Sequence, residues 1–256
     1  MNKRGQVSFF VILGIILLIA IVLIAGLSFM PSDEPEAVEV VSPKIGPVQN
    51  HIQRCTEKVS SEAVYYVGQH GGYYNPPPAS SIEFYLGYVP YYYLDNKINI
   101  PPIPLIESQI SLYIKENMKD CVNLTIIEAQ GYEIKQGEIV PETKISDKAV
   151  TIKLNYPISI TKEGTSYSLT YFTSSIDTNI LEMYSIAGEL VKEHAQDPRI
   201  ICISCIEELT REGITIRAVP EGNETKYGNK LVWYEVVDRE FPIDEGNITL
   251  RWVVEA

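Results

Sequence analysis

Cysteine carries the sharpest chemistry in this sequence. Cys202-Ile-Ser-Cys205 follows Ile200-Ile201 and runs into Ile206-Glu-Glu-Leu209. A short strand, a CxxC and a helix is the layout of a dithiol oxidoreductase, because N–H groups at a helix start stabilise a thiolate. The neighbouring signals of such an enzyme are missing: no aromatic precedes Cys202, no Gly-Pro separates the pair, and no βαβ opening leads in. A static local bridge is therefore the first expectation, and a thiol–disulfide protein using Cys202 and Cys205 is an alternative. Four cysteines permit three complete pairings. Cys55 and Cys121 each continue the apolar face of a helix, so Cys55–Cys121 with Cys202–Cys205 is the economical arrangement. A bridge closing so long a loop contributes on the order of 4 kcal/mol by chain-entropy reasoning.

Other reactive groups are isolated. His51, His70 and His194 lack HxxxH or HExxH spacing, and two cysteines make half a zinc site, so surface or capping histidines and no metal are expected. The carboxylates form no EF-hand pattern, and Glu207, Glu208 and Glu221 read as solvated. No GxSxG turn, P-loop or GxGxxG occurs. The chain is expected to be no enzyme and to need no cofactor. Three sequons, at Asn123-Leu-Thr125, Asn223-Glu-Thr225 and Asn247-Ile-Thr249, are candidate glycosylation sites. Seven of the 17 tyrosines fall between Tyr73 and Pro104, including the run Tyr91-Tyr92-Tyr93, among seven prolines. Exposed rings of this kind suit a contact surface, while covering the domain's own core is the plainer reading.

The elements that must position these residues begin with an anchor. From Phe9 through Leu27 every residue is apolar or glycine, and no charged side chain lies between Arg4 and Asp33. About 20 helical residues at 1.5 Å each cross the roughly 30 Å hydrocarbon layer, and a helix alone satisfies its own backbone there. Residues 6–30 are read as a transmembrane helix in the lipid bilayer. Lys3 and Arg4 precede it while Asp33, Glu34 and Glu36 follow, placing the N-terminus in the cytoplasm and the remainder outside. Beyond residue 30 lie 33 acidic and 19 basic residues, a balance that repels nucleic acid. The competing reading is a cleaved secretory signal ending at Gly26-Leu-Ser28, although its apolar core exceeds the usual length of about 7–15 residues.

Lys3-Arg4-Gly5-Gln6-Val7-Ser8, joined directly to the apolar run, resembles the class III leader of archaeal type IV pilin-like proteins. The resemblance covers about the first 30 residues. It implies cutting by a prepilin peptidase after Gly5, with Gln6 as the first mature residue. The retained helix would then serve as an anchor or pack with other pilin-like subunits. One position departs: where many members carry Glu at the fifth mature position, this chain has Phe10.

After the span, residues 31–47 read as a stiff acidic stalk with four prolines. The remainder, 48–256, reads as one extracytoplasmic α+β domain with mostly antiparallel strands, helical over 48–122 and strand-rich over 123–256. Val48, Ile52, Cys55, Val59, Ala63 and Tyr66 recur at helical spacing, predicting a helix over 48–69 that Gly71-Gly72 ends. A proline-rich ordered loop over 73–104 and a helix over 105–121 follow. Strands are expected at 124–129, 132–137, 149–155, 157–162 and 166–172. A helix capped by Asp177 or Thr178, a short helix over 203–212, and strands at 214–219, 231–237 and 247–254 complete the chain. The whole points to a pilin-like, membrane-anchored glycoprotein of the cell surface with a structural or adhesive role. The alternative is an anchored binding protein using Tyr91, Tyr92 and Tyr93.

Overall fold

The computed structural model describes residues 45–84, 87–221 and 231–255. The expected leader, span and nearly all of the stalk lie outside them. Among the described residues no helix is long and apolar enough to cross a membrane.

The described chain is α+β. Helix α1 (Gly46–Gln69), with Pro47 in its first turn, is buried along two faces. Val48, Ile52, Cys55, Val59 and Ala63 form the apolar stripe, while Thr56, Ser60 and Val64 are buried as well. Thr56 tolerates this because its hydroxyl donates to the Ile52 carbonyl at 2.9 Å. The stripe read from periodicity was thus too narrow, since α1 touches both sheets of the domain.

The first sheet holds six strands: β1 (Ser81–Phe84), β2 (Gly87–Leu94), β3 (Lys97–Ile98), β8 (Ile214–Glu221), β9 (Leu231–Ile243) and β10 (Gly246–Glu255), in the order β1-β2-β10-β9-β8 with β3 on β2. All pairs are antiparallel except β2 with β10. The second sheet holds β4 (Glu133–Gln136), β5 (Val140–Ile145), β6 (Ala149–Lys162) and β7 (Thr165–Asp177). There β6 pairs with β7 along one edge and with β4 and β5 along the other. Helix α2 (Ile103–Cys121) packs on α1 and β5, and a single turn α3 (Thr125–Glu128) follows it. Helix α4 (Ile180–His194) packs on β9 and β10, and α5 (Ile203–Leu209) rests on α4. One contiguous hydrophobic cluster runs from Ile45 and Val48 to Trp252 and Val254.

Several local expectations are corrected. The stretch 73–104 is not a loop throughout, because β2 carries Tyr91, Tyr92 and Tyr93 inside the sheet. Proline there signals a break, yet Pro90 closes the β1 ladder opposite Ser81, and pairing with β10 begins only at Tyr91. Residues 124–129 form a helical turn rather than a strand, nucleated where Asn123 Oδ1 accepts from the Thr125 N–H at 3.1 Å. The two strands expected at 149–155 and 157–162 are one. Pro157 sits at a bulge between Asn155 and Ile158, where its missing N–H breaks no ladder bond. Strand β5 has a polar Thr143 at a buried position, its hydroxyl 2.8 Å from that of Ser111 on α2, so alternation of apolar residues does not announce it.

Gly68 and Gly71 set how closely α1 approaches the first sheet. A Cβ on Gly68 would lie 2.8 Å from the Thr249 carbonyl oxygen, and one on Gly71 would lie 2.6 Å from that of Arg251. Gly71 also holds φ +58, a left-handed conformation open to glycine. Its carbonyl accepts from the Tyr92 hydroxyl at 3.1 Å. Tyr92→Phe is therefore expected to cost about 1 kcal/mol in urea unfolding, with the fold intact.

Candidate functional site

The two helices that carry Cys55 and Cys121 bring their sulfurs together. The Cα atoms are 5.6 Å apart and the cysteines are bonded, and Cys202 is bonded to Cys205 with Cα atoms 5.3 Å apart. Among the described residues no cysteine is free. Cys55 is buried at the α1–α2 contact, whereas Cys202 and Cys205 are half-exposed.

The Cys55–Cys121 bridge lines an open groove of about 970 Å³. One wall is the α1 surface with His51, Arg54, Glu57, Lys58 and Ser61. The others are Thr173–Asp177 of β7 and Glu240–Glu245 at the β9–β10 end. Acidic and basic groups are mixed along it, and Ser61 donates across to Glu245 at 2.6 Å. Among the described residues no cluster of three or more His, Cys, Asp or Glu side chains could hold a metal ion.

At one end of this groove sits a buried polar hub that sequence reasoning missed. Asp238, with no exposed surface, accepts from the Asn179 N–H at 2.7 Å, the Thr178 hydroxyl at 3.2 Å and the Asn179 side-chain amide at 3.2 Å. Its Oδ1 also accepts from the N–H groups of Glu240 and Phe241 at 3.0 and 3.2 Å. Those residues belong to a bulge in β9, where 238–241 stand against the single Ile248 of β10. One carboxylate thus satisfies the bulge's backbone and ties it to the β7–α4 connection. The helix start is set by this hub: Asn179, not Asp177 or Thr178, is at the N-cap, and no side chain caps the helix. Within a strand of apolar and charged residues, nothing marks Asp238 as the inward one.

The tyrosine run does not form a contact surface. Tyr92 is fully buried and Tyr93 nearly so, with Tyr91 half-buried. The Tyr92 ring stacks on Trp252 at 5.4 Å, and Trp252 stacks on Tyr234 at 5.3 Å. Tyr93 meets His194 edge-on at 5.3 Å. The anchored-binding reading therefore loses Tyr92 and Tyr93, and among the described residues the exposed tyrosine rings are Tyr88 and Tyr171. Of the histidines, His70 takes the capping position expected of it, with a ring nitrogen 2.8 Å from the Tyr66 carbonyl oxygen, and His194 is the one that departs from a surface or capping place. Both are buried.

The Cys202–Cys205 bridge borders a second cavity, of about 330 Å³, lined by Leu190, His194, Asp197, Ile200 and Tyr234 among others. Burial pushes the Tyr234 phenol up to about 12, so it stays protonated at neutral pH. The Cys202 sulfur accepts from the Cys205 N–H at 3.2 Å.

The sequons separate by environment. Asn123 is exposed in its turn, Asn247 is half-buried in the β9–β10 hairpin opposite Pro242, and Asn223 lies outside the described residues, as do Gly5 and Gln6. No protein-family model, curated protein or solved structure matches this chain.

Proposed function

We propose that the chain is a pilin-like, membrane-anchored cell-surface protein that holds a disulfide-bonded α+β head outside the cytoplasm in a structural or adhesive role. The observation that carries this reading is Lys3-Arg4-Gly5-Gln6 joined without interruption to the apolar run Phe9–Leu27. Two closed disulfides fit an oxidising, outward compartment. The open, mixed-charge groove of the head fits contact with a partner.

Processing has a direct readout. Mass spectrometry of the native protein should find Gln6 as the first residue, and a mature chain that keeps Met1 or Asn2 overturns the pilin-type reading. Glycan, if the chain meets an oligosaccharide transferase outside, should be found on Asn123 and not on Asn247. An enzyme must reach an extended, exposed amide, and the Asn247 side chain is half-buried in a paired strand. Peptide mapping with and without glycan removal distinguishes the two.

A further inference from the structure

We infer that the Lys148 amine condenses with the Asn179 side-chain amide, releasing ammonia and joining the start of β6 to the start of α4 by an isopeptide bond. The inference does not depend on how the N-terminus is processed. Three observations carry it.

The first is the placing of the Asn179 amide. Asn179 stands at the N-cap of α4, where an asparagine side chain normally accepts from a backbone N–H of the first turn, yet it makes no such bond. Its Oδ1 faces Lys148 instead, with Nζ 2.7 Å away. Cγ is one carbonyl bond of about 1.2 Å from that oxygen, so the amine starts within about 4 Å of the carbon it must attack. The backbone holds the two residues together as well, because the Thr178 N–H donates to the Lys148 carbonyl at 3.0 Å.

The second is Glu240. Its Oε2 accepts from Asn179 Nδ2 at 2.9 Å and lies 3.6 Å from Lys148 Nζ. One carboxylate oxygen thus reaches both the attacking and the leaving nitrogen, which is where a proton carrier must stand. Asp238 acts as a positioning residue, accepting from the same Nδ2 at 3.2 Å and from the Asn179 backbone N–H at 2.7 Å. With an ammonium at its oxygen and two carboxylates at its nitrogen, the amide has only one sensible orientation.

The third is exposure. Asn179 is 1% exposed, which keeps water from the reacting carbonyl. The Lys148 and Glu240 side chains are 62% and 46% exposed, so the flexible lysine stem can carry Nζ over Cγ and ammonia has a way out. Holding amine and amide side by side replaces a rare encounter by an effective concentration of about 10⁵ M or more.

Atoms and charge balance. The Lys148 ammonium gives a proton to Glu240, and the neutral Nζ attacks Cγ, pushing the carbonyl pair onto Oδ1. Glu240 passes its proton to Nδ2 and takes the second one from Nζ. The carbonyl re-forms, the Cγ–Nδ2 bond breaks, and ammonia leaves with that electron pair and takes the proton from Glu240. An ammonium and a primary amide become a secondary amide and a free ammonium ion, and nothing is oxidised or reduced.

The test uses the full chain, purified in detergent and incubated at neutral pH. Digestion and tandem mass spectrometry should find a branched peptide joining residues 148 and 179, lighter than its two parts by one ammonia, with the Lys148–Ala149 bond resistant to trypsin. Fragmentation must place the link, because a chain beginning at Gln6 also loses ammonia when that residue cyclises. Lys148→Arg keeps the charge without the primary amine and should give no branched peptide. Glu240→Gln should keep the parent's circular dichroism while slowing the linkage at least about 100-fold, which a merely structural role for Glu240 does not predict. Peptides recovered separately from the parent chain after prolonged incubation, with Lys148 open to trypsin, overturn the proposal. So does a Glu240→Gln chain that links as fast as the parent.

Discussion

Asp238→Ala is expected to destabilise the domain by about 3–5 kcal/mol, the range for stripping one partner from a buried charged network. The carboxylate accepts from Thr178, from both N–H groups of Asn179, and from the backbone N–H of Glu240 and Phe241. Alanine leaves all of those donors unpaired in a site with no exposed surface. Water can refill part of the space, which is why the cost is set below the sum of the individual bonds. Asp238→Asn keeps the volume but turns an amide N–H₂ toward donors, so it should recover only part of the loss. Urea unfolding of the two variants at neutral pH, compared by midpoint at constant m, measures the effect. If the alanine variant unfolds within about 0.5 kcal/mol of the parent, a surface-like substitution, the hub is not what holds the β9 bulge to the start of α4. Against a typical total of about 5–15 kcal/mol, the expected loss leaves a marginal fold.

The second large effect belongs to the bridge between α1 and α2. Cys55 and Cys121 are 66 residues apart, and cross-linking them removes about 4 kcal/mol of loop-closure entropy from the unfolded chain. For a domain of this size about 1 kcal/mol corresponds to roughly 2–4 °C, so Cys55→Ala/Cys121→Ala should lower Tm by roughly 8–16 °C. The Cys202–Cys205 pair, three residues apart, is the internal control. Because the entropic contribution grows with the logarithm of loop length, removing that pair should cost about 3 kcal/mol less. Calorimetry on both variants decides this. Equal losses would mean that chain entropy is not how the long bridge stabilises the domain, and that packing around Cys55 is.

These two effects differ in how far they are legible without a structure. Helical spacing places Cys55 and Cys121 on the inward faces of two neighbouring helices, and burial pressure on those faces makes their meeting a local inference. Most element positions follow in the same way. Val150, Ile152 and Leu154 alternate as a half-buried strand must, and Ile180, Met183, Ile186, Ala187 and Leu190 repeat as the inner face of α4 must. The apolar run ahead of the domain is likewise read from composition alone, and it lies outside the described residues.

What only tertiary structure decided are the polar and aromatic residues whose partners are distant in sequence. Whether Tyr92 is a contact ring or covers the core is settled only where Trp252 stacks on it and on Tyr234, because the parallel pairing of β2 with β10 sets Tyr91 and Tyr93 beside Val253 and Val254. Thr143, Thr56 and Asp238 are buried against the expectation for their types, and each is satisfied by a hydrogen bond. For Thr143 and Asp238 no sequence pattern specifies that bond. His194 and Cys202 come to line one cavity only because α4 is laid on β9 and β10. Apolar periodicity is a property of one element and can be read along it. A hydrogen-bonded hub or a site is a relation between elements, fixed by packing geometry that no single stretch encodes.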